Sequence, residues 1–135
     1  MPDKLSFKKV FHTLERAISI AQQRHSLISS NISNSDTSNY KAKDIDFKTA
    51  LAQTLESDHE INLARTNPKH IRLGTNSGNS IEPFEEKGEW NGYNWVDIDK
   101  EMIRLAENNL RYRTATETLL RKITILKEVI REGGR

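Results

Sequence analysis

The apolar residues near the start of the chain recur at a helical spacing. Between Ser6 and Ile32 the steps from one to the next alternate four and three residues, a mean period of 3.5. This period is typical of a helix that packs along a partner helix in a left-handed supercoil. His25 fills the one polar place in a stripe made of Phe7, Phe11, Leu14, Ile18, Ala21, Ile28 and Ile32. The pattern predicts a first long helix, with Ser6 as its N-cap.

The last segment repeats this spacing over a length of roughly 40 Å at 1.5 Å per residue. We expect Asp99 to cap its start and Gly133 and Gly134 to end it. Asn109 and Thr116 interrupt the stripe: they either fix the register between two helices, as buried polar residues do in coiled coils, or only make it imperfect. Its apolar members are Met102, Leu105, Tyr112, Leu119, Ile123, Leu126 and Ile130.

The middle of the chain is irregular. Residues 33–39 are rich in turn formers, and a short helix capped by Asp46 is expected to follow. Residues 57–95 then predict loops and brief strands, with strand pieces near 61–63 and 71–73. A small aromatic cluster is expected from Trp90, Tyr93 and Trp95.

These patterns predict a mainly α protein. Two long terminal helices pair as a coiled-coil-like hairpin, and a short helix with an irregular loop and short-strand segment lies between them. The expected boundaries are 1–33 for the first helix, 34–97 for the middle and 98–135 for the last helix. Both helices together form one assembly domain.

Composition indicates that this hairpin has little core of its own. Hydrophobic residues make up 35% of the chain and charged residues 30%, so little apolar surface is available to offset the entropy of ordering the chain. Partners are therefore expected to supply burial. The near balance of 21 basic and 19 acidic residues gives no strong attraction to nucleic acid or anionic lipid. No apolar run suits a cleaved signal peptide or direct membrane insertion.

No motif for catalysis is visible. The chain has no cysteine, and its 4 histidines show no metal-ligand spacing. Asp58-His59-Glu60 either holds a divalent ion or is a run of solvated charges, and Asp44 with Asp46 is either an acid/base pair or, at Asp46, a helix cap. We expect no enzyme: no catalytic, cofactor-binding or metal-binding residues, no cofactor and no small-molecule substrate.

Two further features have alternative interpretations. His25 is either a pH-sensitive contact within the first stripe or a side chain at its edge with the polar tip in water. The last helix carries basic side chains that would suit nucleic-acid binding, yet glutamates are interleaved with them, which favours a solvated face and no nucleic-acid partner. Those basic residues are Arg111, Arg113, Arg121, Lys122, Lys127 and Arg131.

The segment from Ser30 to Ala42, Ser-Asn-Ile-Ser-Asn-Ser-Asp-Thr-Ser-Asn-Tyr-Lys-Ala, resembles the N-terminal signature of flagellar rod, hook and related axial proteins. The likeness extends through residues 43–47, 94–102 and 105–112, and it looks specifically like the proximal rod type. The family usually has Pro-Gly where this chain has Ser38-Asn39; asparagine tolerates positive φ, so we expect the turn to survive. The motif positions are Asn31, Asn34, Asp36, Thr37, Tyr40 and Lys41.

The resemblance implies a structural subunit of the bacterial flagellar basal-body rod, which polymerises through its terminal helices into the proximal drive shaft and transmits torque. It implies as partners copies of itself, other rod subunits, a small adaptor protein at the rod base and the flagellar type III export apparatus. The expected location is the periplasmic rod, reached without a cleaved signal peptide. The alternative from the residues alone is a cytoplasmic coiled-coil interaction protein or export chaperone.

Overall fold

The computed structural model of the chain describes residues 7–56 and 81–134. The predicted mainly α architecture with long terminal helices is confirmed. The elements in chain order are α1 (Phe7–Ser33), β1 (Lys43–Asp44), α2 (Phe47–Glu56), β2 (Phe84–Glu85) and α3 (Ile98–Gly133). The predicted Ser6 cap, the Asp58-His59-Glu60 loop and the strand pieces near 61–63 and 71–73 lie outside the described residues.

The two long helices pack together as an antiparallel pair. Near the end of α1, the Asn31 side chain contacts Glu101 at the start of α3. Midway, Asn108 contacts the backbone of Ala21, and near the start of α1 the Lys122 ammonium lies 5.9 Å from the Phe7 ring centroid. From one contact to the next, the residue number decreases along α1 while it increases along α3, so the two helices run in opposite directions. The predicted hairpin therefore forms within one chain.

A second, small apolar contact joins α1 to α2. Ile20 of α1, Ile45 and Ala50 form a buried cluster, and partly buried residues around it extend the contact. Ile20 lies on a different side of α1 from Ala21 and Ile28, because successive residues of a helix are about 100° apart. Helix α1 thus supports both α3 and the α2 segment. The buried hydrophobic residues of the described chain are Ile20, Ala21, Ile28, Ala42, Ile45, Ala50 and Val96, a short list that fits the low apolar content.

The predicted N-cap of α3 is wrong by two residues, while the predicted end of the helix at its two glycines is confirmed. Asp97 is the N-cap: its backbone is extended, and its carboxylate accepts a hydrogen bond from the Lys100 backbone N–H at 3.1 Å. Asp99 lies in the first turn instead, where its charge still suits the positive end of the helix dipole. The helix ends at Gly133 with Gly134 as C-cap. The Asp46 cap of α2 is also confirmed, since Asp46 accepts from the Lys48 backbone N–H at 3.2 Å.

The turn after α1 has the backbone that its sequence predicts. Asn39 has φ of +58°, a conformation that asparagine adopts more readily than other non-glycine residues. The chain then forms a two-stranded antiparallel sheet, in which Lys43 pairs with Glu85 and Asp44 with Phe84. The predicted aromatic cluster forms between Trp90 and Trp95, whose ring centroids are 4.4 Å apart. Tyr93 is exposed.

Candidate assembly surface

Asn31, a turn-motif residue, is fully buried where α1 ends. Its Nδ2 donates to the Lys43 carbonyl and to Glu101 Oε2, each at 2.9 Å. Its Oδ1 accepts from the Lys43 N–H at 3.0 Å and from the Tyr40 hydroxyl at 3.2 Å. One amide therefore ties together α1, the turn, β1 and α3. A side chain that both donates and accepts is needed at this place.

Charged side chains extend this connection into what we call the ionic cluster, which consists of Arg24, Asp44, Glu86, Glu101 and Arg104. Arg24 donates two hydrogen bonds to the Asp44 carboxylate, each at 2.7 Å. Arg104 donates to Glu101 at 2.7 Å, pairs with Glu86, and lies 3.9 Å from Asp44. The cluster joins α1, β1, α3 and the segment after β2.

The ionic cluster shifts the pKa of Glu86, Arg24 and Arg104. The hydrogen bond from Arg104 lowers the pKa of the Glu86 carboxyl, an effect that burial partly opposes. The hydrogen bond to Asp44 raises the pKa of Arg24, and the hydrogen bond to Glu86 does the same for Arg104. Buried charges are costly unless they are paired and hydrogen-bonded. At this end of the hairpin the buried charges are paired by specific contacts that join separate segments of the chain.

The other turn-motif residues are also mostly engaged within the chain. Asn34 donates to the Ser30 carbonyl at 2.8 Å and accepts from the Thr37 hydroxyl at 3.0 Å. Lys41 pairs with Glu85 at 3.0 Å, and its ammonium lies 6.0 Å from the Trp95 ring centroid. Asp36 is exposed. The motif thus shapes the turn and attaches it to α3.

Sequence reasoning did not identify the ionic cluster or Asn94. Asn94 is fully buried, and its Nδ2 donates to the carbonyls of Ser35 and Thr37, so it connects the turn to the segment before α3. Its partners are 59 and 57 residues away, which leaves no local pattern to detect. The one visible signal was the three-residue spacing of Glu101 and Arg104.

The contact between α1 and α3 uses two polar positions that the apolar stripe passed over. Glu101 and Asn108 of α3 are buried, whereas Met102 is 52% exposed and Asn109 is exposed. Asn108 Nδ2 donates to the Ala21 carbonyl at 2.8 Å. The register role considered for Asn109 therefore fits Asn108. Thr116 donates to the Tyr112 carbonyl of its own helix. Three residues of the predicted stripe are half-buried in the structure: Leu105, Tyr112 and Leu119.

Along α1, burial decreases toward the start of the helix. Ala21 and Ile28 are buried, whereas Phe7 is exposed and stacks on Phe11 at 6.1 Å between ring centroids. His25 is exposed, in agreement with the interpretation that its polar tip lies in water. The remaining predicted residues of this stripe are half-buried: Phe11, Leu14, Ile18 and Ile32.

The far end of α3 carries six exposed hydrophobic side chains. Helix α3 has 36 residues, whereas α1 has 27. Because Lys122 of α3 lies beside Phe7, the first described residue of α1, the part of α3 after Lys122 extends past the described part of α1. We call residues 120–132 the α3 tail. Its hydrophobic side chains are between 39% and 67% exposed: Leu120, Ile123, Ile125, Leu126, Val129 and Ile130. Exposed apolar patches of this kind mark interaction sites.

Within residues 7–56 and 81–134, no helix combines the length and apolarity needed to cross a membrane. Among the same residues, no three His, Asp or Glu side chains are grouped so as to hold a metal ion.

Comparison of the sequence with known proteins points to one family. Residues 11–41, most of α1 and the turn, match the family described as "Flagella basal body rod protein". The chain is 34% identical over 128 residues to flagellar basal body rod protein FlgB of Bacillus subtilis (strain 168), an alignment that covers 94% of this chain and 97% of the relative. It is 33% identical over 135 residues to FlgB of Aeromonas hydrophila, with 94% and 96% covered. With FlgB of Yersinia enterocolitica the identity is 31% over 140 residues, with 98% and 100% covered.

Proposed function

The chain belongs to the FlgB family of flagellar basal body rod proteins, and from this premise we propose that it polymerises through its terminal helices to build the proximal rod. The chain is a component of the flagellar basal-body rod, and its family is structural. Its relatives along nearly the whole chain are rod proteins, which argues against the alternative of a coiled-coil interaction protein or export chaperone.

The exposed α3 tail is the observation that carries this proposal. Five of its six large apolar side chains are more than 40% exposed, and beyond Lys122 the helix extends past the described residues of α1. Burying such surface is favourable by about 25 cal/mol per Å². Neighbouring subunits that covered the exposed side chains of the tail would gain this free energy on association. The assembly seam predicted at Ile123, Leu126 and Ile130 would then be completed between subunits.

The ionic cluster supports a role in torque transmission. A drive shaft has to carry load from one subunit to the next without internal slippage. Asn31 ties the start of α3 to the end of α1 through Glu101. The segment before α3 is held by two further contacts, from Asn94 to the turn and from Arg104 to Glu86. Such directional contacts resist sliding better than an apolar interface, whose side chains accept several registers. We therefore propose that torque passes along α1 and α3 through packed side chains.

The partners beyond the rod itself are proposals that follow from the family. They are other rod subunits, a small adaptor protein at the rod base and the flagellar type III export apparatus, with export into the periplasm. The absence of a strong charge imbalance, 21 basic against 19 acidic residues, supports contacts built mainly from apolar surface and local charge pairs.

The test is incorporation of the chain into purified basal bodies. Ile123→Asp places a charge on the exposed side of the α3 tail, so we expect loss of the chain from the rod and loss of swimming. Thr124→Asp is the matched control, because it changes the next residue but lies about 100° around the helix; it should incorporate normally. Normal incorporation of Ile123→Asp would contradict the tail as an assembly surface.

A further inference from the structure

An open groove lies beside the start of α3, at the opposite end of the helix from the α3 tail. Its volume is about 900 Å³, and the loop between β2 and α3 forms much of its wall. Trp90, Trp95 and Ile98 contribute apolar surface, and Trp90 and Ile98 are about half exposed. We call it the acidic groove, since five carboxylates line it against two lysines.

Two of the groove's carboxylates are available for a partner. Glu86 and Glu101 are engaged by Arg104 inside the ionic cluster. Glu89 and Asp99 are exposed, and neither has an ion pair among the described residues. The groove therefore combines an aromatic surface with unpaired negative charge. A partner that fits it needs apolar side chains interleaved with basic ones.

The α3 tail has that composition. It contains four basic and two acidic residues in addition to its six exposed apolar side chains. Lys127 and Arg131 are four residues apart and therefore lie on one side of the helix. Leu126 and Ile130 lie beside them with the same spacing. An amphipathic helix of this kind is suited to docking in an apolar groove whose rim carries the opposite charge.

The tail cannot reach the groove of its own chain. Both belong to the single continuous helix α3, so that residues 99 and 127 are held roughly 40 Å apart at 1.5 Å per residue. A second copy is required. Contact between the tails of two copies is disfavoured, because it would bring like charges together, whereas contact between tail and groove pairs opposite charges.

We propose that the α3 tail of one copy docks in the acidic groove of the next copy. Leu126 and Ile130 would lie against the tryptophans, and Lys127 and Arg131 would face Glu89 and Asp99. This contact is heterologous, so each bound copy still offers a free groove and a free tail, and the array stays open. The inference rests on the proposed rod function and deepens it by naming two complementary surfaces.

Cross-linking tests the pairing directly, since the chain has no cysteine of its own. The variants Glu89→Cys and Lys127→Cys are purified separately and mixed in equal amounts with a short thiol-reactive cross-linker. We expect a mixed dimer that neither variant forms alone. In the control, Glu15→Cys, which changes an exposed residue of α1, is mixed with Lys127→Cys instead of Glu89→Cys. This mixture should give no cross-linked dimer. A dimer from Lys127→Cys alone, or no mixed dimer, would overturn the proposal.

Charge exchange tests the same contact without a cross-linker. One double variant, Glu89→Lys with Asp99→Lys, makes the groove basic. A second double variant, Lys127→Glu with Arg131→Glu, makes the tail acidic. Each variant alone should self-associate at least about tenfold more weakly than the unmodified chain, and an equal mixture should regain association. Circular dichroism checks that both keep their helix content. A mixture no stronger than its components, or an unmodified chain that stays monomeric in sedimentation, would refute the contact.

Failure of this inference can be separated from failure of the proposed function. If both charge variants enter purified basal bodies as the unmodified chain does, the tail–groove contact is wrong while the rod function stands. If the unmodified chain itself is missing from the rod, the proposed function is wrong. Loss of each single variant, with rescue when both are produced in one cell, is the result that supports the inference.

Discussion

At the scale of single residues, polar side chains decide how the hairpin end is held. Asn31 makes four hydrogen bonds from a fully buried site. An aspartate has nearly the same shape but cannot donate, and it would bring a second negative charge beside Glu101. A leucine would leave the backbone groups of Lys43 without their partner. The amide is therefore the chemical group that the site requires.

Asn31→Asp should destabilise the chain by about 2–4 kcal/mol, because two buried donors are lost and two carboxylates are brought together. Urea unfolding followed by circular dichroism measures this change. Asn109→Asp is the control: Asn109 is exposed on α3, so its replacement should change stability by no more than about 0.5 kcal/mol. Equal effects of the two variants would show that the Asn31 contacts do not contribute.

The Glu86 carboxyl makes the free energy of unfolding depend on pH. The hydrogen bond from Arg104 lowers its pKa below the ordinary value of 4.5, so the folded chain favours the charged form. The stabilisation is complete above that ordinary pKa and is lost as the pH falls through the lower folded value. Glu86→Gln should therefore reduce stability at pH 7 and flatten the loss below about pH 4.5.

Unfolding free energies measured across this pH range check the prediction. Glu89→Gln is the matched control, since Glu89 lies in the same segment but has no ion pair among the described residues; it should keep the acid-dependent loss of stability. If Glu86→Gln loses stability in acid as steeply as the unmodified chain, the pair with Arg104 is not the source.

At the scale of elements, the interface between α1 and α3 is an apolar contact with polar residues at two places. Asn108 Oδ1 is buried and accepts no hydrogen bond within the described chain, while its Nδ2 binds the Ala21 carbonyl. A buried amide that is only partly satisfied costs stability, yet it penalises every register that moves it away from its partner. The helices are thus positioned by a residue that does little to stabilise them.

Asn108→Leu should therefore raise the unfolding free energy by about 1 kcal/mol while loosening the register of the helix pair. Urea unfolding measures the stability, and sedimentation of the same sample measures how many species are present. We expect a mixture of associated states where the unmodified chain gives fewer. A variant that is less stable and equally uniform would contradict a positioning role for Asn108.

At the scale of the whole molecule, burial is unevenly distributed. The apolar cluster around Ile20 and the ionic cluster lie at the α2 end of the hairpin, whereas the hydrophobic side chains of the α3 tail are exposed. The acidic groove lies at the other end of the same helix. A subunit whose side chains are packed at one end and exposed at the other is suited to an assembly in which neighbouring subunits bury the exposed side chains. Its stability is then expected to depend on its concentration.

The melting temperature of the unmodified chain should rise with protein concentration, because association covers the α3 tail in the folded state only. Thermal unfolding at several concentrations provides the measurement. Ile123→Asp should remove most of this dependence, and Thr124→Asp should retain it. A melting temperature that stays constant over a hundredfold concentration range would show that the isolated chain already covers its apolar surface.

The sequence alone determined the features that depend on neighbouring residues. The period of 3.5 located both long helices, the positive φ at Asn39 followed from its place in the turn, and two glycines marked the end of α3. The turn motif indicated the family before any contact was known. These features follow from backbone sterics and from side chains a few residues apart, so a short window of sequence contains them.

Only the tertiary structure decided which side chains meet. Asn31 and Glu101 are 70 residues apart, and Asn108 and Ala21 are 87 apart, so their contacts depend on how the helices pack. The apolar pattern passed over Glu101 and Asn108 because a stripe of hydrophobic residues cannot show that a polar group has a buried partner. The cap at Asp97 was missed for a different reason: Asp97 and Asp99 are both suitable N-cap residues, and only the backbone conformation shows that Asp97 accepts the hydrogen bond from the first turn. The free energy that such a long-range contact contributes depends on a partner far away in the sequence, so it arises only when the two segments pack together.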